Sequence, residues 1–143
     1  MGASVGGYWP GITEEQLEGE PGFWNDCKAW GNFMAEYEGE PDVLDTFRRL
    51  GASALLTYKT DGMDDSDVEW VSPEQLHASS QIMQDAVRQN LPGVERILEV
   101  YARNANKIDS VAQEFLTDIA DIQKIATWAA QHGTKVITLE VNW

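Results

Sequence analysis

Asp61, Asp64, Asp65, Asp67 and Glu69 place five carboxylates within nine residues. Closely spaced carboxylate oxygens are what a hard cation such as Ca²⁺ or Mg²⁺ requires, and Asp64, Asp65 and Asp67 are the candidate metal ligands. Asp65, Asp67 and Glu69 share one face if their segment is extended. The spacing departs from the calcium-loop pattern, because Gly62 follows the first Asp directly and no terminal Glu stands at the required distance from a loop glycine. A solvated acidic turn is the simpler reading of the run. As a docking surface, Asp61, Asp64, Asp65, Asp67 and Glu69 together with Trp70 suit a basic protein partner. Paired carboxylates also act as acid and base in glycoside hydrolysis, and ten of the 14 aromatic residues lie in the N-terminal half, where rings can stack on sugars. A metal-assisted hydrolase or glycan-binding domain using the Asp61 to Glu69 cluster is therefore the alternative to a binding domain.

Other chemistry has less to work with. Nucleophilic catalysis needs Cys27 or a serine beside His77 or His132 with a third group to orient them, and no local motif supplies that arrangement. Cys27 falls between Trp24 and Trp30 at helical spacing, which suits a small buried hydrophobe. Two histidines and one cysteine far apart in sequence lack zinc-ligand spacing. Gly2, Gly6, Gly7 and Gly11 lead to no Lys-Ser or Lys-Thr, so no phosphate-cradling loop is expected. No catalytic residue and no organic cofactor are assigned.

Charge narrows the partners. Sixteen of the 24 carboxylates fall between Met1 and Glu74 against four basic residues, Lys28, Arg48, Arg49 and Lys59, so this half carries −12 of the net −14. An acidic face repels phosphate backbones and anionic lipid, which excludes nucleic acid and membrane as expected partners and favours cations or basic proteins. With 143 residues and 43% hydrophobic content, residues 1–143 fit one domain whose core needs neither disulfide nor metal. The single cysteine permits no intrachain disulfide. Neither a signal-peptide pattern nor a membrane-length apolar run occurs, so a soluble cytoplasmic protein is expected. Gly6 stands where a myristoylation signal would carry Ser or Thr.

The elements that must position these residues are written in capping and periodicity. Thr13/Gln16, Ser72/Gln75 and Ser110/Gln113 each spell a capping box, and Pro73 follows Ser72 at the first helical position. Leu76, Met83 and Val87 mark one helix, which Pro92-Gly93 ends; Ile97, Leu98, Tyr101 and Ala105 mark the next, weakened at its end by Asn104 and Asn106. Val111, Phe115, Ile119, Ile122, Ile125, Ala126 and Ala129 form an apolar stripe predicting a helix from Ser110 to His132, stopped by Gly133. Alternation from Lys135 to Trp143 predicts a half-buried strand. A short helix over Asp42–Leu50, a strand over Ser53–Lys59, an acidic loop and a short strand over Val68–Val71 precede the second capped helix. Residues 6–41, with seven glycines and three prolines, read mostly as aromatic-anchored loop, with one helix over Asn25–Tyr37. The expected fold is α+β in two layers: a small mixed or antiparallel sheet of three or four strands with helices packed on one face.

Two stretches resemble the YfbM-like family of small uncharacterised bacterial proteins. Val68-Glu69-Trp70-Val71-Ser72-Pro73-Glu74-Gln75-Leu76 is similar to that family's short strand running into a Ser/Thr-Pro-Glu helix start. Asp121 to Gly133 with the strand after it looks like the family's closing helix, glycine and strand, whereas the first 40 residues depart from the pattern. The resemblance implies a mixed α and β bacterial domain and brings no activity or catalytic residue with it. The function expected from all of this is a non-catalytic binding or regulatory domain that presents an acidic N-terminal face to a basic protein.

Overall fold

The computed structural model describes residues 4–21, 28–36, 39–103, 105 and 110–142. Two of the three capping boxes form as spelled. The Thr13 hydroxyl accepts the Gln16 N–H at 3.2 Å while the Gln16 side chain accepts the Thr13 N–H at 2.9 Å, opening α1 (Glu14–Glu18). Ser72 and Gln75 exchange the same bonds at 3.1 and 2.8 Å to open α4 (Pro73–Arg88), with Pro73 at its first position. The third does not form: Ser110 has φ −143° and ψ 43°, and its side chain makes no capping bond at the start of α6 (Val111–Gln131). The remaining helices are α2 (Lys28–Glu36), α3 (Pro41–Leu50) and α5 (Val94–Ala102).

The expected stripe on α6 is its buried face. Phe115, Ile119, Ile122, Ile125, Ala126 and Ala129 are all fully buried, and α4 lies along this helix in the most extensive interhelical contact among the described residues. Removing a side chain such as Ile122 from water stabilises the fold by about 1.5–3 kcal/mol. Gly133 ends the helix with φ +73°, a left-handed conformation that costs glycine little. Around the first half of α6 an aromatic cluster closes the core: Phe115 meets Tyr101 edge-on at 5.0 Å and Trp30 at 5.7 Å, and Phe33 joins them from α2. Arg96 of α5 ties that helix to α3, pairing with Glu40 at 2.6 Å, Asp42 at 2.8 Å and Glu99 at 2.6 Å.

The sheet is smaller than the expected three or four strands. β1 (Ser4–Tyr8) pairs antiparallel with β2 (Thr138–Asn142), Gly6 opposite Glu140 and Tyr8 opposite Thr138. Beside this pair the described residues add two isolated bridges, Lys59 parallel to Glu140 and Val71 antiparallel to Ile137, just before β2. The expected strand over Ser53–Lys59 is a 3₁₀ turn at Ser53–Leu56 followed by that one bridge. Its physical cause is visible in Leu55 and Leu56, adjacent residues that are both buried, which a pleated strand with one covered face cannot arrange. Val68–Val71 likewise contributes a bridge rather than a strand. β1 itself was hidden by Gly6-Gly7. A Cβ on Gly7 would stand 2.8 Å from Ile125 and 2.9 Å from Trp128, so the glycine lets β1 approach α6. Val5, Leu139 and Val141 turn inward beside it, which places helix against the inner face of the sheet.

Among the described residues the chain is thus α+β and rich in helix. The expected helix over Asn25–Tyr37 appears as Lys28–Glu36. Phe23, Trp24, Cys27, Tyr37, Asn104, Asn106 and Trp143 lie outside the described residues. No described helix is long and apolar enough to cross a membrane.

Candidate functional site

The acidic segment folds as a pinned turn. Met63 N–H bonds to the Thr60 carbonyl at 3.1 Å, Asp67 N–H to Asp64 at 2.9 Å and Val68 N–H to Asp65 at 3.3 Å, winding Asp65–Asp67 into a 3₁₀ turn. Val68, which closes the turn, is buried at 8% exposure. Because Asp65–Asp67 is wound rather than extended, the shared face expected for Asp65, Asp67 and Glu69 does not arise. Asp61, Asp64, Asp65, Asp67 and Glu69 are all exposed, and Trp70 is half-buried. Among the described residues no three His, Cys, Asp or Glu side chains come together in a group able to hold a metal ion.

Asp65 is the carboxylate that faces back into the protein. Its Oδ2 accepts the Tyr8 hydroxyl at 3.3 Å, its Oδ1 lies 3.8 Å from Lys59 Nζ, and its carbonyl accepts the Trp70 indole N–H at 3.1 Å. Lys59 also donates to the Met63 carbonyl, and its ammonium sits 5.6 Å from the centre of the Tyr8 ring, within cation–π range. The Tyr8 and Trp70 rings lie 6.1 Å apart at 32°. Burial, then the charge and hydrogen bond of Asp65, push the Tyr8 phenol above its ordinary value. One cation, Lys59, is thereby drawn inward and neutralised by the turn, while Asp61, Asp64, Asp67 and Glu69 form no ion pair among the described residues. Tyr8 and Lys59 belong to this constellation although neither was a sequence candidate, since only the β1–β2 pairing and the Lys59 bridge bring them to Asp65.

Behind the turn, a cleft of about 510 Å³ opens towards α3, walled by Leu44, Arg48, Ser53, Leu56, Trp70 and Gln75. Glu69, Thr57 and Val71 also reach it. The Thr57 hydroxyl is occupied, donating to the Glu69 carbonyl at 2.6 Å and meeting Thr138 Oγ1 at 2.8 Å.

Two carboxyls elsewhere are pushed up, and Asp42 is held below its ordinary value by the Arg96 guanidinium. Asp118 on α6 accepts the Tyr101 hydroxyl at 2.6 Å and the Trp30 backbone N–H, so it caps the start of α2 from a different helix; burial pushes it up to about 7 in spite of these bonds, helped by Glu114 and Asp121. Glu20 accepts the Gly7 N–H at 2.7 Å on the outer edge of β1 and is also pushed up to about 7, chiefly by burial and further by the charge of Glu140. His132 caps the C-terminus of α6 as its position predicts, and its ring lies 5.7 Å from Trp128 and 6.2 Å from Trp9. None of these groups forms a nucleophile–base pair among the described residues.

No protein-family model, no curated protein and no solved structure matches this chain.

Proposed function

We propose that the protein is a non-catalytic binding or regulatory domain whose acidic N-terminal half meets a basic protein. The observation that carries the reading is the state of the acidic turn. Its backbone is fixed by its own hydrogen bonds and by Asp65, yet Asp61, Asp64 and Asp67 project from it exposed and without ion pairs among the described residues. Glu14, Glu15 and Glu18 of α1 are exposed and unpaired in the same way. By contrast Arg96 and Arg103, on α5 and at its end, are tied to carboxylates of the protein itself. Carboxylates held in place before a partner arrives lose less freedom on binding, and a dense negative field speeds encounter with a positive surface.

The test is retention of lysate proteins by the immobilised chain at low and high salt, with a variant carrying Asp61→Asn, Asp64→Asn and Asp67→Asn alongside. A basic protein retained at low salt, released at high salt and lost in the variant supports the reading. Equal retention by the variant, or none by either, overturns it.

A further inference from the structure

We infer that the cleft between α3 and the acidic turn binds a small zwitterion with an apolar body, of the α-amino-acid class. The cleft's volume, about 510 Å³, falls in the range of small-molecule sites. Polar groups make up most of its accessible lining, while the innermost wall is apolar or already satisfied: Leu56 is 7% exposed, Thr57 4% exposed with its hydroxyl bonded, and Val71 lies beside them. The Trp70 indole N–H is held by the Asp65 carbonyl, which fixes the ring as one side of the cleft. The polar rim is unlike the wall. Arg48 and Glu69 both line the cleft, both are exposed, and neither makes an ion pair with the other or with any described residue.

Arg48 and Arg49 both lack an ion pair among the described residues, although carboxylates outnumber bases 24 to 10 and Arg96 alone gathers three of them; Arg49 donates to the Pro92 carbonyl at 3.0 Å, and Arg48 makes no such bond there. A planar guanidinium is suited to gripping a carboxylate with two parallel bonds, and Glu69 supplies the matching acceptor for an ammonium. Net charge selects between ligand classes. A simple cation would be repelled locally by Arg48, and a simple anion would have to enter the field of a chain carrying −14. A molecule with both charges and no net charge meets neither obstacle, and its apolar body can lie against Leu44, Leu56 and the Trp70 ring. The free amide nitrogen of Gln75, whose oxygen is committed to the Ser72 N–H, adds a donor at the rim.

The inference is independent of the partner reading, because the ligand is titrated into the isolated chain. The probes are leucine, methionine, phenylalanine and tryptophan at millimolar concentration, followed by calorimetry and by the melting midpoint, which a ligand bound only by the folded state must raise. For phenylalanine the controls are 2-phenylethylamine, which lacks the carboxylate, and 3-phenylpropionate, which lacks the amine. At least one amino acid should bind saturably, with Arg48→Ala and Glu69→Gln each weakening it at least about tenfold, as expected for a lost bond to a charged group. Both variants should melt like the parent without ligand, since neither side chain makes a hydrogen bond or ion pair among the described residues. Absence of saturable binding by all four amino acids, full binding retained in Arg48→Ala, or equal binding of either single-charge control would overturn the inference.

Discussion

Asp118 shows how a single buried acid sets the pH response of the fold. Burial pushes its carboxyl up to about 7 in the folded chain from an ordinary 3.8, so the folded state holds this proton more tightly than the unfolded state does. The stabilisation from that proton is complete below the unfolded value, declines as pH rises towards about 7, and is gone above it. Glu20 contributes with the same sign up to the same pH, since burial pushes it from an ordinary 4.5 up to about 7. Asp118→Asn keeps an oxygen acceptor for Tyr101 and Trp30 but cannot ionise, and should therefore reduce the fall in melting midpoint between pH 5 and pH 8 without abolishing it. An unchanged slope in the variant would mean that the carboxyl is not protonated in the fold. In sequence Asp118 was one acid among 24, and nothing in its neighbours marks it, because its burial comes from α2 and α5 packing over α6. Asp65 was legible as a member of a cluster, but its inward turn was not, since the Tyr8 and Lys59 that hold it are brought in by pairing across the chain.

Helices were legible wherever local chemistry and burial agree. The stripe on α6, the stop at Gly133 and the boxes at Thr13 and Ser72 are local signals with local causes, and they formed. Ser110 carries the same spelling as Ser72 but its backbone lies outside the geometry in which a capping side chain can reach the third N–H. The two serines therefore make a paired test. Ser72→Ala should destabilise the protein by about 1 kcal/mol, whereas Ser110→Ala should stay within about 0.5 kcal/mol of the parent in denaturant melts. Strands were legible only in part: the alternation after Lys135 marks β2 (Thr138–Asn142), whereas β1 owes its place to remote neighbours. β1 contains Gly6-Gly7, poor strand formers kept where the strand nears Ile125 and Trp128. Gly7→Ala should force that contact apart and cost about 1–3 kcal/mol, measured as a drop in the denaturation midpoint. A fully stable Gly7→Ala would show that β1 does not press on α6 as described.

Taken over the whole molecule, the charge that the sequence concentrates between Met1 and Glu74 is partly internalised and partly displayed. Lys59 and Asp65 neutralise each other beside Tyr8, Glu40 and Asp42 are consumed by Arg96, and the rest of the acidic turn faces outward. Among the described residues the turn's carboxylates do not converge into a group of three able to hold a metal ion. Thermal melts at matched ionic strength should consequently show no rise in midpoint with Ca²⁺, Mg²⁺ or Mn²⁺. A rise that vanishes in Asp64→Asn would instead place a metal there. The central claim, an acidic face offered to a basic protein, is tested most directly by retention of lysate proteins on the parent chain and on the Asp61→Asn, Asp64→Asn, Asp67→Asn variant across a salt series. The account predicts a basic protein bound by the parent at low salt, released as salt rises and absent from the variant. Retention that ignores both salt and the three substitutions would contradict it.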